Sequence, residues 1–325
     1  MREIAGSIAR RLPLAMQLRL LDIRDRRQQA RLRARHPDQI ARYRALAPRL
    51  AALESDLRRI GTGPFAVPFW ERTNERLRAA LLPVPPREFL RHPLILESMF
   101  MSAGGALLER ELRDLESRFD PRELRLLLEE DPVGGPLLQA RGYASSHNSV
   151  HLLYHIARFV ASTGTELSGL RRIVEWGGGY GRLAVLMRRL CGRDVAYAIV
   201  DTPLFTAIQW LYLASILGEA SVRVARDPHT ESVPGVVTLI PVGLVEDITV
   251  EADLCVSTWA LSESSRYAQE HVRQRAWFGA RHLLLGYQVG SSLVPDSSLT
   301  GELARKDGAT IEPLAYQPGN FYAFR

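Results

Sequence analysis

The sequence predicts an α/β fold: a mostly parallel sheet that ends in an antiparallel hairpin, preceded by an all-helical N-terminal domain. Three observations predict it. After Gly142, short apolar runs alternate with helical stretches, the pattern of βαβ units. The tail over residues 311–324 reads as two strands around Pro318-Gly319-Asn320, a hairpin added to the sheet. Residues 1–140 carry helical periodicity cut by proline and glycine, with no strand pattern. The expected division is therefore a helical domain over 1–140 and a sheet domain over 141–325. With 325 residues, 46% hydrophobic and 24% charged, the chain is long enough for two such units and has an ordinary globular composition.

Each element has a local reason. Leu46, Leu50, Leu53, Leu57 and Ile60 recur every four or three residues, one helical face, and Gly61 suits the stop. A second helix is expected over 68–82, ending before Val84-Pro85-Pro86. Asp120 as N-cap, Pro121 in the first turn and Glu123 as a capping-box partner start a third, which ends near the Asp131-Pro132-Val133-Gly134-Gly135 break. A helix over 146–162 follows. The strand over 171–176 then runs into Gly177-Gly178-Gly179-Tyr180-Gly181 and a helix over 182–190. The next strand, 195–200, closes on Asp201 and leads to a helix over 205–217. Residues 236–242, 253–257 and 282–287 are further strand-length apolar runs.

Charge and cysteine content narrow the classes. The chain is +6, with a pI of about 9.6. Residues 1–60 hold 15 arginines against 6 acids, so they carry +9 and the rest sums to −3. Lys306 is the only lysine. A basic arm on a near-neutral body predicts a solvated or membrane-brushing helix face, not a nucleic-acid partner. The longest nearly apolar run, 233–245, is 13 residues and is broken by Pro234, Gly235, Pro241 and Gly243, too short to span a bilayer. The N-terminus has no uninterrupted apolar stretch and no small-residue cleavage site, so no secretory signal is expected. Cys191 and Cys255 are expected as buried free thiols in a reducing cytoplasm.

The glycine loop is the most informative segment. Gly177, Gly179 and Gly181 let a strand turn sharply into a helix while a ligand lies against bare backbone. A dinucleotide fingerprint would need its third glycine at 182, which is arginine, and no G-K-[ST] follows for a Walker loop. Glu175, two residues before the first glycine, suits a cationic ligand better than a pyrophosphate. Asp201 ends the next strand, where an acid accepts both hydroxyls of a ribose.

Glu175-x-Gly177-x-Gly179-x-Gly181, then a strand closing on Asp201, resembles the S-adenosylmethionine-dependent methyltransferases of Rossmann-like fold, whose sheet ends in an antiparallel hairpin. Tyr197-Ala198-Ile199-Val200-Asp201-Thr202-Pro203 and Asp253-Leu254-Cys255-Val256-Ser257-Thr258-Trp259-Ala260-Leu261-Ser262-Glu263-Ser264 are more specific. With Glu175-Trp176-Gly177-Gly178-Gly179-Tyr180-Gly181-Arg182 they resemble the sugar O-methyltransferases of bacterial polysaccharide and natural-product gene sets. Ser257 stands where that family prefers asparagine. The resemblance covers about residues 140–325. It implies S-adenosyl-L-methionine as cofactor, held by Glu175, Gly177, Gly179, Gly181, Asp201, Thr202 and Trp259, with Arg182 in reach of the cofactor carboxylate. It implies a small-molecule or saccharide acceptor; the N-terminal helices, outside the resemblance, are expected as a cover for it or a contact between copies. Methyl transfer to a nitrogen or oxygen of a non-sugar natural product or peptide, and a non-catalytic scaffold, are the alternatives.

A sugar hydroxyl does not ionise unaided, so a base within hydrogen-bond reach is required. His147, His151 and His155 fall at i, i+4 and i+8 of one helix. Three histidines on one face could ligate a metal, but with successive turns about 6 Å apart one ion is rarely held by all three, and no metal is expected. His151, at the centre of that face, is the first candidate base and His147 the second. Glu263, after the fourth principal strand, is a candidate base or acceptor ligand, and His271 ranks behind all three.

Overall fold

The structure is a computed structural model that describes residues 14–99, 105–290 and 294–325, with side chains from Ile23 onward. Residues 1–13 of the basic arm, on which the expectation of no secretory signal falls, lie outside the described residues. The N-terminal region is helical: α1 (Leu14–Arg35), α2 (Pro37–Leu46), α3 (Leu50–Arg58), α4 (Pro68–Leu81), α5 (Pro93–Met99), α6 (Gly105–Arg118) and α7 (Pro121–Leu128). The Leu46–Leu57 stripe is buried, and Gly61 ends it at φ +76°. Asp120 caps α7 as its sequence predicts, accepting from the backbone N–H of Arg122 and Glu123 at 2.8 and 3.3 Å.

From α8 (His147–Thr163) the chain alternates: β1 (Arg172–Trp176), α9 (Arg182–Cys191), β2 (Ala196–Asp201), α10 (Pro203–Leu217), β3 (Val222–Val224), β4 (Val237–Pro241), β5 (Leu254–Thr258), α11 (Arg266–Gln274), β6 (His282–Gln288), α12 (Leu299–Lys306), β7 (Thr310–Pro313) and β8 (Asn320–Phe324). The sheet order is β3-β4-β2-β1-β5-β6-β8-β7. The pairs from β3 through β6 are parallel, and β8 runs antiparallel to both β6 and β7. This is the expected Rossmann-like sheet with its terminal hairpin, plus an edge strand, β3, whose three residues gave no sequence signal.

Strand alternation builds a core on each face. Ile173, Tyr197 and Ile199 point into one core with α9 and α10. Val174, Ala198 and Val200 point into the other with α11 and α12. The first core continues into α2 and α3, so the helical region docks on α10 rather than standing apart. The strand order reverses direction on either side of β1, which leaves a crevice at the carboxyl ends of β1, β2 and β5. Cys191 and Cys255 are buried and unbridged. No helix among the described residues is long and apolar enough to cross a membrane.

Candidate functional site

A cavity of about 450 Å³ fills that crevice. The glycine loop, Asp201, Thr202, Trp259 and Glu263 line it from the sheet, and His151 and His155 from α8. Helical-region residues close it, among them Phe65, Phe69, Trp70 and Met99.

Glu175 is 2% exposed at the end of β1, where Tyr197 donates to its Oε2 at 2.8 Å. Burial pushes its carboxyl up to about 8, the neighbouring Asp201 adds to the rise, and the Tyr197 hydrogen bond opposes it. Burial also raises Asp201, to about 7, against hydrogen bonds from the Thr202 backbone, the Gln209 side chain and the loop amides. Gln209 Nε2 bonds Asp201 Oδ2 at 2.7 Å and the Gly179 carbonyl at 3.0 Å, tying the ribose-candidate acid to the loop. Thr202 Oγ1 is buried in the cavity wall without a partner.

The glycines differ in what they leave room for. A Cβ on Gly177 would come within 2.0 Å of Ala260 Cβ, so that glycine lets the loop touch the β5 segment. Gly179, at φ +55°, has nothing nearer to its missing Cβ than Met99 at 3.9 Å. The space it leaves is cavity, and a side chain there would project into it.

Trp259 adopts φ +69°, a left-handed conformation rare for a bulky residue and characteristic of functional sites. Its N–H donates to Gly286 O and its indole Nε1 to Asn320 Oδ1, both at 2.7 Å. The ring so fixed stacks on His151, with centroids 5.5 Å apart and planes 25° apart. Ser257 serves where asparagine was the family expectation: its hydroxyl donates to Trp176 O and accepts from Leu261 N, each at 2.9 Å. Glu263 is half-buried, accepts from Gln288 Nε2 at 3.2 Å, and is pushed up to about 7 by burial.

The histidines separate. His151 is 4% exposed, with Nδ1 2.5 Å from Glu111 Oε1 and Nε2 buried without a partner. His147 does not line the cavity; its Nε2 stands 3.7 Å from Glu111 Oε2. His155 is fully buried, with Nδ1 2.5 Å from the Tyr322 hydroxyl, and burial together with His151 holds it well below the usual histidine range. His271 packs edge-on to Phe65 at 5.3 Å and does not reach the cavity. No group of three His, Cys, Asp or Glu among the described residues is arranged to hold a metal.

Arg182 is held by protein partners. All three of its guanidinium nitrogens bond protein acceptors: Ser149 Oγ at 2.8 Å, Asp131 Oδ2 at 2.8 Å and Glu129 O at 2.9 Å. With Glu130 and Arg189 it forms a buried ionic network between α9 and the segment after α7, so it anchors the helix behind the loop, although it is also among the residues that line the cavity. Sequence reasoning missed Glu111, Gln209, Gln288, Asn320 and the aromatic wall of Phe65, Phe69 and Trp70. Only Glu111 carried a signal: it falls on the buried face of α6 among Leu107, Leu108, Leu112 and Leu115, a lone acid in an apolar stripe.

No protein-family model and no curated protein matches the chain. Several solved structures overlap it in part. Mitomycin 7-O-methyltransferase is 17% identical over 76% of this chain and 74% of its own, with a TM-score of 0.38. Synechocystis magnesium protoporphyrin IX methyltransferase with bound S-adenosylmethionine is 13% identical over 69% and 99%, with a TM-score of 0.36. Fibrillarin of Aeropyrum pernix, with S-adenosyl-L-methionine natively bound, is 10% identical over 52% and 73%, with a TM-score of 0.35. The fold assignment itself rests on the strand order: a mostly parallel sheet, switched at β1 and closed by an antiparallel hairpin.

Proposed function

We propose that this chain is an S-adenosylmethionine-dependent O-methyltransferase acting on a sugar hydroxyl of a polysaccharide or glycosylated natural product. The observation that carries this reading is one cavity lined by both an acid–glycine–acid cradle and His151, whose Nε2 has no hydrogen-bond partner. The cradle fits the cofactor on its own chemistry. Gly179 leaves open the space a Cβ would fill, Thr202 Oγ1 lacks a partner, and Glu175 and Asp201 offer carboxylates to a cationic, ribose-bearing ligand. The cofactor would supply an electrophilic methyl group on a sulfonium.

The chain's own residues do the rest. Asp201 and Thr202 hold hydroxyls, the glycine loop admits the ligand against backbone, and the helical region excludes water from above. His151 Nε2 accepts the acceptor's proton, whose O–H electron pair stays on oxygen. A sugar suits the opposite wall, where the Trp259 face can meet C–H groups while Glu263 and Gln288 meet hydroxyls. The test is incubation with methyl-labelled cofactor and a panel of glycosides, followed by mass spectrometry. Enzyme-dependent label on a sugar oxygen supports the reading. Label only on a peptide or an aglycone replaces the sugar, and no saturable cofactor binding would leave the fold as scaffold.

A further inference from the structure

We propose that Glu111 is the positioning residue for His151: by accepting the Nδ1 hydrogen it leaves the lone pair of the neutral ring on Nε2. The rate it predicts rests on the methyltransferase reading above; the tautomer it predicts does not.

A neutral imidazole carries one N–H and one lone pair, and its partners choose which nitrogen has which. Glu111 is 1% exposed. Burial raises its carboxyl, while polar contacts with His147 and His151, and their charge when those rings are protonated, bring it below the usual glutamate range. An ionised carboxylate only accepts, so at 2.5 Å the hydrogen between Glu111 Oε1 and His151 Nδ1 belongs to the imidazole. In the neutral ring the lone pair then sits on Nε2, a buried atom without a hydrogen-bond partner on a residue that lines the cavity.

Three neighbours surround this arrangement. Trp259 stacks on the ring. His155 lies behind it, with ring centroids 3.9 Å apart, and is held neutral by burial, so no second charge competes for Glu111 from that side. His147 Nε2 stands 3.7 Å from the other carboxylate oxygen, beyond hydrogen-bond distance. When Nε2 takes the hydroxyl proton, the ring becomes an imidazolium and Glu111 supplies the adjacent negative charge. A structural role alone is a poor account of an acid in a leucine stripe of α6 whose hydrogen-bond and ion-pair partners are two histidines.

Two measurements test the proposal. Long-range imidazole ¹⁵N NMR of the cofactor-free wild type, with His151→Gln used to assign the signals, should show hydrogen on Nδ1 and a bare Nε2 for His151. Hydrogen on Nε2 overturns the proposal without any variant of Glu111 having to fold. In steady-state assays, Glu111→Gln keeps the shape but loses the charge and can present an N–H to Nδ1. It should lower kcat roughly 10²–10⁴-fold while cofactor Kd stays within about twofold, because Glu111 does not line the cavity. Glu111→Asp should recover part of that loss. Normal kcat in Glu111→Gln overturns the proposal. If no acceptor is methylated by the wild type, the methyltransferase reading fails and the NMR result still decides the tautomer.

Discussion

Glu175→Gln should make the ligand-free protein more stable in neutral and alkaline solution, by an amount that follows from where the carboxyl sits. Glu175 is 2% exposed, and its hydrogen-bond partner is the Tyr197 hydroxyl at 2.8 Å. The carboxyl ionises near 4.5 in an unfolded chain and, in the fold, holds its proton to about 8. A raised carboxyl contributes stability that is full below 4.5 and lost as pH climbs through 8. At about 1.4 kcal/mol for each tenfold change in proton affinity, the loss is on the order of 5 kcal/mol. Glutamine is neutral throughout and its Oε1 still accepts from Tyr197. Urea denaturation of both proteins without cofactor, at pH 5, 6, 7 and 8, reads the difference directly. The wild type should fall behind the variant by up to about 1.4 kcal/mol per pH unit, and the two should converge at pH 4.5. Parallel curves would refute the claim that Glu175 is buried without a compensating cation. A carboxyl retained beside the loop at that expense is placed for a ligand that is itself cationic.

Three further outcomes follow from the same geometry. Gly179→Val should abolish S-adenosylmethionine binding in calorimetry while far-UV circular dichroism is unchanged, because its side chain points into cavity and not into protein; normal binding would make the loop purely structural. Cofactor affinity should rise between pH 6 and 8 as Asp201, held to about 7, becomes the carboxylate that accepts hydroxyl hydrogens; an affinity independent of pH would remove Asp201 from that role. Arg182→Leu should cost about 3 kcal/mol or more in urea denaturation, since it leaves Glu130 and Asp131 buried without their central cation, and a loss under 1 kcal/mol would contradict the anchoring role.

The sheet was legible because its strands are apolar runs separated by helical stretches, and because the Pro318-Gly319-Asn320 turn marks the hairpin. The edge strand β3 was not: three residues with Arg223 exposed in the middle have no period to read. Glu175, the glycines, Asp201 and Trp259 converge because parallel strands open at one edge, so position along each strand fixes position at the cavity. Arg182 shows the limit. Its place in the first turn of α9 was readable, but its direction depends on Glu130 and Asp131, brought close only by docking of the helical region. Glu111 meets His151 across 40 residues of chain, and Phe65, Phe69 and Trp70 become a cavity wall only through tertiary contact. Helical periodicity shows which face is apolar and not what that face covers.

The most direct measurement is calorimetric titration of wild type and Asp201→Ala with S-adenosylmethionine, with folding of both checked by circular dichroism. One-site saturable binding is expected for the wild type. For the variant the expected result is affinity at least tenfold weaker, because two hydrogen bonds to a charged acceptor, each worth about 1.5–3 kcal/mol, are removed. Absence of saturable binding in the wild type, or equal affinity in a folded Asp201→Ala, would contradict the assignment of this cavity as the cofactor site.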